Sequence, residues 1–171
     1  VNGQGAFVQG ITVESRLNFY GDVQWEAGFT AQRSLYTDPV VWIDAVKPSR
    51  SFIRTPNLYG FARFNWSITK NSTFDLNYIY TGPMWVPHFA GAPEQLEDEI
   101  IKSNPFHEIG CSIRRDIYTP KIGTFGITVG VKNVLNSFQR DFDSGKNRDS
   151  NFVYGPIQPR SIFFSVNWKW N

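Results

Sequence analysis

Seven stretches of this chain alternate apolar and polar residues with a period of two, and the connections between them run short, long, short, long. A period of two places one residue class on each face of a β-strand, so every stretch reads as a strand with one greasy and one polar face. The last is the clearest. Ile162, Phe164, Val166, Trp168 and Trp170 fall on one side, with Ser161, Phe163, Ser165, Asn167 and Lys169 on the other. The remaining strands are expected at 11–19, 23–32, 58–68, 74–81, 108–117 and 125–132, joined by turns at 20–22, 69–72 and 118–123 and by loops at 34–56, 82–106 and 136–159. Within the second loop, 93–101 reads as a short acidic helix, because proline suits a first helical turn and glutamate is favourable near it.

Connections sorted by length, joining roughly 10-residue strands that are apolar on one face, are the pattern of a transmembrane β-barrel. A soluble sandwich also alternates, but nothing requires it to sort its connections to opposite ends. The expected fold is therefore all-β, a transmembrane antiparallel β-barrel. Aromatic residues make up 16% of the chain and there are 14 glycines, which suits strands, turns and interfacial girdles. Trp25, Trp66, Tyr118, Trp168 and Trp170 are expected to form the girdle at the short-turn end. Arg115, on the apolar face close to its turn, can reach the headgroups along its own stem. No run approaches the ~18 apolar residues of a membrane helix. A net charge of +2 from scattered basic residues argues against nucleic acid as a partner. The single Cys111 permits no disulfide within the chain.

Direction adds a further expectation. If the long loops lie outside, the first strand starts at the outer end, whereas bacterial barrels of one chain have even strand numbers. Residues 1–171 are thus expected to be the C-terminal part of a barrel, with N-terminal strands and any plug domain elsewhere.

Several motifs agree. Val131-Lys132-Asn133-Val134-Leu135-Asn136, then Tyr154-Gly155-Pro156-Ile157-Gln158-Pro159-Arg160 before the aromatic strand, resemble the closing elements of TonB-dependent outer-membrane receptors of the Bacteroidetes type. Arg54-Thr55-Pro56-Asn57 and the stretch from Tyr80 through Met84, Trp85 and His88 to Gly91 are similar to segments of such receptors assigned to cobalamin or siderophore uptake. The resemblance implies a roughly 22-stranded barrel occluded by a plug, in the Gram-negative outer membrane. It also implies active transport of a large scarce nutrient, energised by the TonB complex through the plug, with a surface lipoprotein as a further partner. The alternatives are a passive or structural outer-membrane barrel and a soluble β-sandwich binding module.

Under the barrel reading, Glu14, Arg16, Glu26, Arg63, Asp75, Glu108, Arg114, Asp116 and Lys132 face the lumen, where they would meet each other and a polar plug. Trp42, Met84, Trp85, His88 and Phe89 lie in outer loops as candidate ligand contacts. His88 invites a metal or haem reading, but packing between Pro87 and Phe89 explains it better, and His107 offers less. Asp141, Asp143, Asn147 and Asp149 carry enough oxygens for calcium, yet they lack the spacing of a calcium loop. Interleaved Arg140, Lys146 and Arg148 favour a salt-bridged loop instead. No nucleophile stands beside a base, so no catalytic residue is assigned and the chain is read as a non-enzyme.

Overall fold

The computed structural model describes residues 5–92 and 94–170. Those residues form an antiparallel β structure without a helix. The strands are β1 (Ala6–Phe19), β2 (Val23–Val40), β3 (Ser49–Ser51), β4 (Leu58–Thr69), β5 (Ser72–Thr81), β6 (Trp85–His88), β7 (Glu99–Lys102), β8 (Phe106–Thr119), β9 (Gly123–Lys132) and β10 (Ser161–Lys169). One sheet runs β1-β2-β4-β5-β8-β9-β10, with β3 beside β2. The small β6-β7 hairpin stands apart. The sheet is open, β1 and β10 each having a single partner.

Register decides which residues share a face, because a slip of one residue would invert every side chain of a strand. Here the apolar sets meet at every ladder. Leu17 pairs with Trp25, Trp25 with Phe64, and Phe64 with Leu76. Leu76 pairs with Cys111, Cys111 with Val131, and Val131 with Ile162. The same ladders place all nine lumen candidates on the opposite face, as in the row Arg16, Glu26, Arg63, Asn77. Tyr118 departs from its expected girdle position. It pairs with Thr124 while its neighbour Ile117 pairs with Phe125, so Tyr118 lies on the polar side and Phe125 on the apolar one.

Trp25, Trp66 and Trp168 do share the apolar face at the short-turn end, and Trp170, just past the last ladder pair, packs beside Trp168. Trp168 stacks parallel to Phe125 with centroids 6.1 Å apart, and its indole N–H donates to the Ile122 carbonyl in the turn at 2.8 Å. Trp170 meets Trp168 edge to face at 5.4 Å. Arg115 donates to the Ser72 hydroxyl beside the 70–71 turn, which keeps its charge at the rim.

Two glycines on the polar face allow close aromatic cover. A Cβ on Gly28 would lie 2.8 Å from the Phe61 ring, and one on Gly130 only 2.5 Å from Phe163. Both aromatics are the glycines' own register partners, so each ring lies over bare backbone and shields its hydrogen bonds.

The buried apolar residues are in an unusual place. Ile43, Met84, Val86, Ala92 and Phe152 belong to the long connections, and Phe106 opens β8. The apolar face of the sheet itself is uncovered, with Ile162 at 79% exposure and Ile11 at 72%.

Two expectations about the connections are corrected. Residues 34–40 continue β2 instead of starting a loop, because Tyr36, Leu35 and Ser34 pair with Ala6, Phe7 and Val8. Pro39, which has no N–H to give, falls where the β2-β3 register shifts. No helix forms around 93–101. Pro93 lies outside the described residues, and Glu99–Lys102 pairs as a strand with Trp85–His88. Pairing puts Ile101 opposite Val86, where it packs on the buried cluster of Met84, Val86 and Phe152. That tertiary gain outweighs a weak local helix preference.

Candidate functional site

The three long connections lie at one end of the sheet and fold together into a cap. Its centre is Phe152, 2% exposed, packed with Met84 and fully buried Val86, and flanked by Ile101 and Tyr154. The cap is built largely by the motifs that stood out in the sequence. Asn133 and Asn136 both adopt left-handed backbone, with φ of 49° and 54°, which asparagine tolerates better than most residues. The Asn133 side chain donates to the carbonyls of Ser137 and Gln158 and accepts from the Ser137 amide. Asn136 accepts from the Arg160 amide at 3.0 Å. The motif thus ties the exit of β9 to the entry of β10, across the whole third connection.

Sequence reasoning passed over the residue that pins this connection from within. Gln139, 1% exposed, donates to the Phe152 carbonyl and accepts from the amides of Tyr154 and Gly155. A buried amide with such partners is stabilising, and leaving those partners unpaired would be costly. Nothing in the sequence distinguishes it from the other polar loop residues.

The five loop candidates separate into two groups. Met84 and His88 are buried within the cap. Trp42 is half-buried against Tyr36, with centroids 5.7 Å apart. Trp85 and Phe89 are exposed, and the Lys102 ammonium lies 5.9 Å above the Trp85 ring.

His88 has a defined job within the cap. Its ring lies parallel to Phe152 at 3.6 Å, and Nε2 is 2.8 Å from Oδ1 of Asp143. The other ring nitrogen is 3.8 Å from Glu99. Burial pushes the Asp143 carboxyl up, but the Asp149 amide and His88 together hold it below the usual carboxylate range. Asp143 is therefore an ionised acceptor at neutral pH, and the His88 Nε2–H donates to it. Asp149 extends the network, accepting from the amides of Phe89 and Asn151.

A group whose carboxyl is depressed by folding stabilises above its unfolded value and loses that contribution as pH falls through the folded one. Cap docking is accordingly expected to be constant above about pH 5 and to weaken progressively below ~4, the ordinary aspartate value. Hydrogen exchange at the Asp149 amide against pH measures this, and Asp143→Asn should remove most of the acid dependence.

The salt-bridged reading of the third connection needs correction. Asp143 and Asp149 engage His88 and backbone amides, and Asp141 accepts from the Tyr154 hydroxyl at 2.6 Å. The Tyr154 phenol is pushed up by its burial and by Asp141. Arg140 instead lies 5.2 Å over the Phe138 ring, and Arg148 donates to the Gly145 carbonyl. Among the described residues, no group of three or more His, Cys, Asp or Glu side chains is placed to hold a metal.

On the polar face of the sheet, the charged candidates come together in small sets. Arg16 pairs with Glu26 at 2.8 Å, Arg63 approaches the same carboxylate at 3.8 Å, and Asn65 donates to Asp75 at 2.6 Å. These residues line a 720 Å³ basin with Asn18, Gln24 and Asn77. Arg114 pairs with Asp116 at 2.9 Å, and the Lys132 ammonium lies 5.6 Å over Phe163. Glu14 stands opposite Gly28, and Glu108 opposite Ile79. The exposed pairs are each worth little to stability, and the face they line is polar. His107 sits on the other face at the cap end, 2.8 Å from the Tyr78 hydroxyl and tilted against Tyr80. No protein-family model matches the chain, and no curated protein matches it.

Proposed function

We propose that this chain is part of the wall of an outer-membrane β-barrel, and that the complete protein is a TonB-dependent receptor taking up a large scarce nutrient such as cobalamin or a ferric siderophore. One observation carries the barrel reading. An apolar face runs unbroken across six ladders and is left uncovered, while the face behind it is polar and lined with ion pairs. In water such a face would drive aggregation, and in hydrocarbon it needs no cover. Outer-membrane lipid then covers the apolar side, further strands close the two free edges, and a plug occupies the polar side. Girdle tryptophans at the short-turn end and long connections gathered into a cap fit the periplasmic and outer sides respectively.

The uptake reading rests on the resemblance of the closing motifs, and it assigns the cap to the side where ligand arrives. Trp85 and Phe89 are the two loop candidates whose exposure suits capture of a large ligand. Growth of a deletion strain tests this reading. With a corrinoid or a ferric siderophore as sole source, growth should fail on one of the two and return when the full gene is supplied. Growth equal to the parent on both media would sink active uptake and leave a passive barrel.

A further inference from the structure

The cap joins three connections that are far apart in sequence, and their ties converge on one short segment. We infer that the three long connections open and close as one cooperative unit, keyed by the Arg54 side chain of the first connection against the 151–153 segment of the third. This goes beyond the uptake reading and does not depend on it.

Arg54 has left-handed backbone, φ 54°, a conformation that an ordinary residue adopts only at a cost. Unlike the left-handed asparagines, it has no short polar side chain to ease the bend. Such a conformation persists only where its surroundings over-determine it. They do so here on both sides. The Arg54 amide donates to the Trp85 carbonyl at 2.7 Å, and Ile53 bridges to Trp85, which fastens the first connection to the second. The guanidinium donates to the carbonyls of Asn151 and Val153, which fastens the first to the third.

Those two carbonyls flank Phe152. Its ring carries the load onward by stacking on His88 in the second connection, and His88 returns to the third through Asp143. Asp149 closes the circuit by accepting from Phe89 and Asn151. Every tie that crosses between connections therefore shares a residue or a neighbour with another tie. The Arg54 and Asp149 ties are exposed and the His88 tie is half-buried, so what couples them is the residues they share around buried Phe152: loss of one tie frees the segment that positions the next, which is the physical basis of a cooperative unit.

Native-state hydrogen exchange on the full-length protein tests this. Arg54→Gln removes two charge-assisted hydrogen bonds, and exchange should rise about tenfold or more at the amides of Phe89, Ser103 and Asp149 together. Arg54→Gly relaxes the backbone while removing the same guanidinium, and should give the same pattern, separating the side chain from backbone strain. Arg50→Gln, which loses only a bond to the Tyr36 carbonyl, should leave those amides unchanged. Faster exchange confined to 151–153 in both Arg54 variants, with Phe89 and Ser103 unaffected, would overturn the inference.

Discussion

Replacing Phe152 with alanine is expected to cost about 3–5 kcal/mol and to unfasten the cap without dismantling the sheet. The ring is 2% exposed, parallel to His88 at 3.6 Å and 5.2 Å from the Tyr154 ring. Its removal opens a cavity against Met84 and Val86, and the flanking hydrogen bonds from Gln139 and Arg54 hold the backbone too firmly for the site to collapse. The sheet shares little of this loss, because its ladders run between strands while the residues packed on Phe152, namely Met84, Val86, His88, Ile101 and Tyr154, belong to the long connections. Limited proteolysis of the full-length protein should therefore show new cleavage in the 82–105 and 133–160 connections, with the strand segments still protected. Phe152→Leu, which keeps most of the volume, should lose much less. Cleavage in the strands as early as in the cap would mean that the cap and sheet are one packing unit.

The strand faces were legible in the sequence because alternation and register are the same constraint. Leu17, Trp25, Phe64, Leu76, Cys111, Val131 and Ile162 could be assigned to one face from spacing alone, and six ladders align them. The failures fall where alternation gives out. Residue type alone puts Tyr118 with the tryptophans, but its parity with Asp116 puts it on the polar side. Residues 34–40 carry Asp38 and Pro39 and look like loop, yet Ser34, Leu35 and Tyr36 pair with Val8, Phe7 and Ala6, and Val40 with Ser49, partnerships no local pattern announces.

The candidate site was less legible for a different reason. A cap is held by side chains meeting across 55 to 99 positions, as His88 meets Asp143 and Arg54 meets Val153. Residue types point to chemistry but not to such partners. His88 and Met84 looked like surface groups because their loop is long, and they are buried because three long loops cover one another. His88 packs on Phe152, as its neighbours Pro87 and Phe89 suggest, whereas the carboxylates interleaved with Arg140, Lys146 and Arg148 accept hydrogen bonds from backbone amides in place of ion pairs with those cations. Asn133 and Asn136 were conspicuous as a motif, and their left-handed backbone explains why asparagine stands at both positions.

The proposed wall predicts the second large effect, an asymmetry between two adjacent residues of β9. Val129 lies on the apolar face between Ile113 and Phe164, and Thr128 lies on the polar face between Arg114 and Ser165. An arginine on the lipid face costs about 2–4 kcal/mol at the midplane, and it must be inserted during assembly, when no partner stabilises the wall. An arginine at 128 would extend into a wet lumen beside groups that already pair among themselves. In water Val129 is exposed and Thr128 half-buried, so an arginine at 129 would be tolerated at least as well as one at 128.

The direct measurement is the amount of full-length protein recovered from the outer membrane as folded, heat-modifiable barrel for Val129→Arg and for Thr128→Arg. A membrane wall predicts near-complete loss for Val129→Arg and parental levels for Thr128→Arg. Equal recovery of the two, or greater loss for Thr128→Arg, would contradict a lipid-facing apolar side.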